Sequence, residues 1–341
     1  MYISRLLVAL LLAFSVAVSA EQLVLRDDHP SEYTVVRGDT LWDISGMFLR
    51  DPWLWPEIWH INQQVENPHL IYPGDVLRLV WVDGKPRLML DRGVTKLTPQ
   101  VRSTPVDLSI PPIPLERIRP FLSRNRVVLS VDAFEQAPYV VHMIDDRTLG
   151  DADTRVYVRG MGYAPDTTLN VMRAGQTYRD SQTDEVIGYE AIFIGDATVR
   201  DGGDPARVDL ISTVRESRVG DRLMPADDSG LQQLYQPHAP DSEVSAHIID
   251  VLNGDRLIGQ FQIVVLDRGD EDGLEPGHVL ASQTATKVVP DTVSGIEGDT
   301  VTIPSEQTGL MMVFRTFERT SFALVMEAVR PIYVGDEVVN P

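Results

Sequence analysis

The sequence predicts a multidomain chain: a small α+β module of β-α-α-β order, followed by a mostly-β C-terminal region of one or two small barrel-like units. Three observations predict it. Strand-like runs at Tyr33–Val36 and Val76–Val80 bracket two stretches whose apolar residues recur at helical spacing. From Phe121 onward, short runs rich in β-branched residues alternate with Gly, Asp and Pro clusters. Within that region the segment starting at Ala206 lies over the segment starting at Ser321 without a gap, so that Gly220-Asp221 falls on Gly335-Asp336.

The chain opens on a secretory leader. Arg5 supplies a positive n-region, Leu6–Val18 is an apolar run of h-region length, and Val18-Ser19-Ala20 places small residues at a cleavage site. The mature chain is expected to begin at Glu21. The 341 residues contain 30 basic and 50 acidic side chains, a formal charge of −20. A nucleic-acid partner needs the opposite sign on its contact face. Charge alone would not hold this chain to anionic lipid, and no direct membrane insertion is expected after leader removal. There is no cysteine, which excludes a lipobox, disulfides, a thiolate nucleophile and Cys-ligated zinc.

In the module, Gly38 permits a turn and either Asp39 or Thr40 can cap the next helix. Thr40-Leu-Trp-Asp43 has capping-box spacing. Leu41, Ile44 and Phe48 share one helical face, with Leu41 read as partly core. Pro56 suits the first turn of a second helix, with Ile58 and Ile61 inward. Asn67-Pro68 and Pro73-Gly74 mark turns, and Val76–Val80 returns to pair with the first strand. Trp53, Trp55 and Trp59 could stack on sugar rings, but core packing of a small domain is the preferred reading. A strand-like stretch, Trp81–Leu90, follows. Six prolines between Pro99 and Pro120 make a semi-rigid spacer. Later strand-like runs are Val127–Val131, Tyr139–Val141, Arg155–Val158, Leu169–Val171, Gln260–Leu266 and Ser321–Glu327, and Asp227–Glu243 reads as a connection. The expected division is leader 1–20, module 31–82, linker 98–120, and β-rich domains 121–226 and 244–341.

The stretches Val-Val-Arg-Gly-Asp-Thr-Leu41 and Asn67-Pro-His-Leu-Ile-Tyr-Pro-Gly-Asp-Val-Leu77 resemble the two ends of a LysM domain. The resemblance implies a shallow groove for N-acetylglucosamine-containing polymers, above all peptidoglycan, lying between two loops. One loop is Gly38, Asp39, Thr40 and Leu41; the other is Asn67, Pro68, His69, Leu70 and Ile71. Neutral sugars offer hydroxyl and acetamide groups to loop backbone, and Leu41, Leu70 and Ile71 could take the acetyl methyl. Structural roles compete at Gly38 and Asp39, and His69 is open between solvent and ligand.

Leader, LysM-like module, spacer and β-rich C-terminal part together resemble TsaP-like proteins, the secretin-associated proteins of type IV pili. Gly269–Leu280 and the closing Val-Gly-Asp-Glu-Val338 resemble the C-terminal domain of the flagellar protein FlgT. These resemblances imply a periplasmic, peptidoglycan-associated adaptor near the outer membrane whose partner is an outer-membrane secretin ring. Competing readings are a LysM-targeted wall hydrolase and a general envelope or flagellar-motor accessory. No catalytic constellation stands out: the seven histidines form no H-E-x-x-H, and no G-x-S-x-G elbow occurs. Asp267–Glu275 fails the register of a calcium loop. The chain is expected to be non-enzymatic, with no metal and no cofactor.

Overall fold

The computed structural model describes residues 23–59, 71–91, 124–226, 235–252, 257–296 and 298–341. The expected leader (1–20), spacer (98–120), Ile61, Asn67, Pro68, His69 and Leu70 lie outside the described residues. Two compact units divide the chain at residue 110, and each is taken by itself.

In the first unit, β1 (Glu32–Thr34), α1 (Leu41–Phe48), a 3-10 turn (Pro52–Leu54), α2 (Trp55–Ile58), β2 (Val76–Val82) and β3 (Lys85–Asp91) follow in order. The strands form one antiparallel sheet, β1-β2-β3, with Tyr33 opposite Leu77 and Leu79 opposite Leu88. β2 turns into β3 at Asp83-Gly84, both at positive φ, the dipeptide and geometry that suit right-twisted hairpins. The sheet therefore continues beyond residue 82, and Trp81–Leu90 is two strands and a turn. Leu41, Ile44, Phe48, Ile58, Leu77 and Leu88 fill the core. Trp53, Trp55 and Trp59 are buried with them, so these indoles pack the domain from inside and offer no exposed platform.

The second unit opens on β4 (Arg126–Val128) and α3 (Val131–Glu135); Val131, expected in a strand, begins this helix. Then come β5 (Tyr139–Met143), β6 (Leu149–Gly150), β7 (Arg155–Arg159), β8 (Thr168–Arg179), β9 (Val186–Asp201), β10 (Ala206–Thr213), β11 (Ser217–Arg218) and β12 (Arg222–Pro225). Pairings run β5-β7-β10-β9-β8-β12 and return to β5, with β4 added on β9 and β6 paired to β11. After residue 235 the chain repeats the plan. β13 (Ser245–Leu252), β14 (Leu257–Ile258), β15 (Ile263–Leu266), β16 (Val279–Gln283), β17 (Lys287–Pro290), β18 (Thr300–Ile303), β19 (Gln307–Thr316), β20 (Ser321–Ala328), β21 (Ile332–Tyr333) and β22 (Glu337–Val339) follow. Six of them close as β13-β15-β20-β19-β16-β22, and β14 pairs β21. The two circuits are the same, strand for strand. Among the described residues, the β17–β18 hairpin is added to the second circuit, and β4 and α3 to the first.

The repeat seen in the sequence is thus the last three strands of two like barrels, and the match goes deeper. Gly195 on β9 and Gly309 on β19 hold one place: a Cβ there would meet Ser212 O at 2.1 Å and Glu327 O at 2.3 Å. Such close backbone approach is where a barrel strand needs glycine. Each barrel has its own aliphatic core, built from Val140, Val158, Leu169 and Leu223 in one and Ile248, Val264, Leu280 and Val338 in the other.

One turn serves both barrels and the first unit. At Val36–Asp39, Tyr72–Asp75, Arg218–Asp221 and Tyr333–Asp336, glycine takes the third position at φ 99, 95, 95 and 99°. That sign of φ is open to glycine without steric cost. The aspartate carboxylate then accepts the N–H of the first residue at 2.8, 3.0, 2.7 and 2.9 Å. Three of these turns dock on an early strand. Val35, Val140 and Ile248 each donate N–H to the aspartate carbonyl (Asp75, Asp221, Asp336) and accept from the glycine N–H. A short G-D signal therefore fixes where each return strand meets the strand that opens its domain.

Candidate functional site

At one end of the β1-β2-β3 sheet, the turn that opens the first expected loop lies beside the Tyr72–Asp75 turn, which follows Ile71 in the chain. Val35 is the joint: its N–H donates to Asp75 O at 2.8 Å and its carbonyl accepts from Gly74 N–H at 2.8 Å. The Val36–Asp39 turn is thereby held beside the Tyr72–Asp75 turn. Gly38 stands exposed at the tip.

The side chains of the first loop are committed inward. The Asp39 carboxylate accepts from Val36 N–H at 2.8 Å and from the Tyr33 hydroxyl at 2.9 Å. Burial, and then this bond to Asp39, pushes the Tyr33 phenol up to about 12. Thr40, not Asp39, caps α1. Its Oγ1 accepts the Asp43 N–H at 3.1 Å and its hydroxyl donates to the Asp43 carboxylate at 2.8 Å. The acidic partner of the expected capping box thus binds the threonine hydroxyl. Leu41 and Ile71 are 2% and 0% exposed. The structure places both in the core under the loops, where they support the groove instead of taking an acetyl methyl from its surface. At the exposed tip Gly38 brings backbone without a side chain, between exposed Val36 and Arg37 and the start of α1, where a helix leaves its first N–H groups without intrahelical partners. Neutral, directional donors and acceptors of this kind suit acetamide and hydroxyl groups. Of the second loop's expected contacts, only Ile71 falls within the described residues.

Residues 33–80 match the LysM domain family. This segment is a LysM domain. Among curated proteins, an uncharacterized protein of Bacillus subtilis (strain 168), YqbP, is 38% identical over 60 residues, covering 15% of this chain and 27% of that protein. The chain thus spans little more than a quarter of the length of the curated relative it matches. A LysM domain is a carbohydrate-binding module of the peptidoglycan type, with a binding role and not a catalytic one. No helix among the described residues is long and apolar enough to cross a membrane.

The LysM domain leaves two polar clusters of the second unit unaccounted for. His238, Glu275 and His278 put ligand-capable atoms within 4.8 Å of one another. Sequence spacing missed this set because His238 reaches His278 through a parallel backbone bridge between segments forty residues apart. The His278 Nδ1 lone pair is already engaged, accepting from Glu275 N–H at 3.1 Å, and His238 Nδ1 lies 3.0 Å from Gln236 O. Burial, with His238 adding to it, lowers the His278 pKa. The neutral ring clamps the Glu275–His278 turn. A second cluster lies between the barrels, in a cavity of about 150 Å³ lined by Asn125, Gln176, Glu190, Arg215 and Asp250, among others. Burial raises both carboxylates. Asn125 donates to Glu190 at 2.9 Å, and Gln176 donates to Asp250.

Proposed function

We propose that this chain is a non-enzymatic periplasmic adaptor. In this reading its LysM domain holds the glycan strands of peptidoglycan, and its paired barrels hold an outer-membrane assembly, the type IV pilus secretin. The observation that supports the reading is the LysM turn pair joined at Val35, with the Asp39, Thr40 and Leu41 side chains engaged within the domain and Gly38 exposed at the tip. The glycan contacts are assigned to Gly38, Asp39, Thr40 and Leu41 through their peptide groups, together with Asn67, Pro68, His69, Leu70 and Ile71. The partner assignment is supported by the likeness to TsaP-like proteins in layout: leader, LysM domain, spacer, β-rich end. One shallow groove binds weakly. A ring-shaped partner carrying many copies would convert later contacts into intramolecular ones and raise retention by orders of magnitude, roughly 10²–10⁴ for linked sites.

The site assignment is tested by titrating the isotope-labelled protein with N-acetylglucosamine oligomers and soluble muropeptides while following amide shifts. The expected shifts gather on residues 37–42 and 67–72. Gly38→Asn adds a side chain at an exposed turn position with open space around it but a φ of +99° that strains any L residue, asparagine less than most; it should weaken binding at least tenfold, with amide shifts outside the turn unchanged. Shifts centred on the barrels instead would reject the groove.

A further inference from the structure

The two barrels share a circuit, so each part of one has a counterpart in the other, and one pair of counterparts is used differently. In the middle barrel the β8–β9 hairpin runs past the barrel wall, and its far end seats on the C-terminal barrel. Ser181 donates its hydroxyl to Asp267 at 2.6 Å, Arg268 donates to Asp180 at 2.9 Å, and Arg319 donates to Glu185 at 3.0 Å. Gln176 donates to Asp250 from the same arm.

The counterpart in the C-terminal barrel is the β16–β19 hairpin, prolonged by β17 and β18. These two strands pair only with each other among the described residues, Lys287 opposite Ile303 and Pro290 opposite Thr300. Every residue of both strands is exposed. Val288, Val293 and Ile296 are 66, 91 and 68% exposed, and Val301 and Ile303 are exposed beside them. A lone two-stranded hairpin is marginal in water. Open strand edges with clustered aliphatic side chains mark a surface that pairs with something.

We propose that the β17–β18 arm seats on the middle barrel of a second copy of this chain, as the β8–β9 arm seats on the C-terminal barrel of its own. The receiving surface exists by register. Val140 and Ile248 occupy one place, each docking a G-D turn, and both strands slip register by one residue just after it. Asp250 and Asp267 therefore correspond to His142 and Arg159. The seat on the C-terminal barrel carries Asp250, and Asp267 beside Arg268; the seat on the middle barrel carries His142 beside Asp146, Arg159 bonded to Asp204, and half-buried Tyr139 and Tyr157. The arm, its strands joined at the tip by the bond from Asp291 N–H to Asp299 O, brings exposed Val288, Val301 and Ile303 to those two tyrosines. The contact is heterologous, arm to barrel, so copies add head to tail and close into a ring or grow a row.

The test is sedimentation velocity of the whole chain over a wide concentration range. Intact protein should form dimers and larger species as concentration rises. An arm variant, Val288→Asp with Val301→Asp, and a seat variant, Arg159→Glu, should each stay monomeric alone, with unchanged circular dichroism. Mixed, they should form a one-to-one dimer and no larger species, because the seat variant still has a good arm and the arm variant a good seat. An intact chain that remains monomeric up to its solubility limit would overturn the proposal. So would self-association of the intact chain that either variant leaves unchanged or that mixing fails to restore.

Discussion

The middle barrel and the C-terminal barrel follow the same strand circuit, yet each has given its long hairpin a different task. The β8–β9 arm is polar at its end and spends its groups on the neighbouring barrel. The β17–β18 arm exposes Val288, Val293, Val301 and Ile303, and its strands pair only with each other among the described residues. The same contrast recurs at the shared G-D turn. In the middle barrel Arg173 donates twice to the buried Asp221 carboxylate, at 2.8 and 2.9 Å. In the C-terminal barrel the matching Asp336 accepts from Tyr333 N–H, and burial raises its pKa. Backbone geometry is what the repeat keeps; side-chain chemistry around it is free to diverge.

The largest effect expected from breaking this likeness is at the paired glycines. Gly195→Val and Gly309→Val each drive a side chain into the next strand's carbonyl and should cost on the order of 3 kcal/mol or more. Hydrogen exchange resolved by segment should show each variant losing protection first in its own barrel. Equal loss in both barrels would mean that they fold as one unit.

A second pair sharpens the contrast at the turn. Arg173→Ala strands a buried carboxylate and should cost about 3 kcal/mol. Asp336→Asn keeps an acceptor for Tyr333 N–H and should cost about 1 kcal/mol or less. Urea unfolding of the two variants compares them directly, and equal costs would show that Arg173 adds nothing to the shared turn.

The smallest effect is a pH dependence of the seated arm. Burial pushes the Asp180 carboxyl up, but the N–H groups of Thr183 and Gln182 and the Arg268 guanidinium outweigh it and hold the group at about 2. A carboxylate with a depressed folded pKa lends stability above its unfolded value, and that stability is lost as pH falls through the folded one. Exchange at residues 180–185 should therefore accelerate between roughly pH 4 and pH 2, while residues 287–303 show no such step.

Local chemistry made much of this legible from sequence. The Thr40 cap, the Pro73-Gly74 turn and the alignment of Gly220-Asp221 on Gly335-Asp336 each depend on residues within a few positions of one another. What escaped was set by distant contacts. Gly195 and Gly309 show their purpose only when Ser212 and Glu327 close over them. The bridge between His238 and His278, and the seating of Asp180 on Arg268, join segments whose approach no local pattern encodes. Ile71, expected at the surface of the second loop, carries the same lesson, whereas the helical spacing that set Leu41 on the core face agrees with its burial. Apolar residues beside a turn can face either way, and at Ile71 the core took the side chain.

The central claim is that the LysM domain holds this chain to the cell wall. Its most direct test is co-sedimentation of the protein without residues 1–20 with protein-free peptidoglycan sacculi, beside the same chain also lacking residues 33–80, with the supernatant assayed for released muropeptides. The intact protein should pellet, the shortened chain should stay in solution, and nothing should be released. An intact protein left in the supernatant, or muropeptides released into it, would contradict the account.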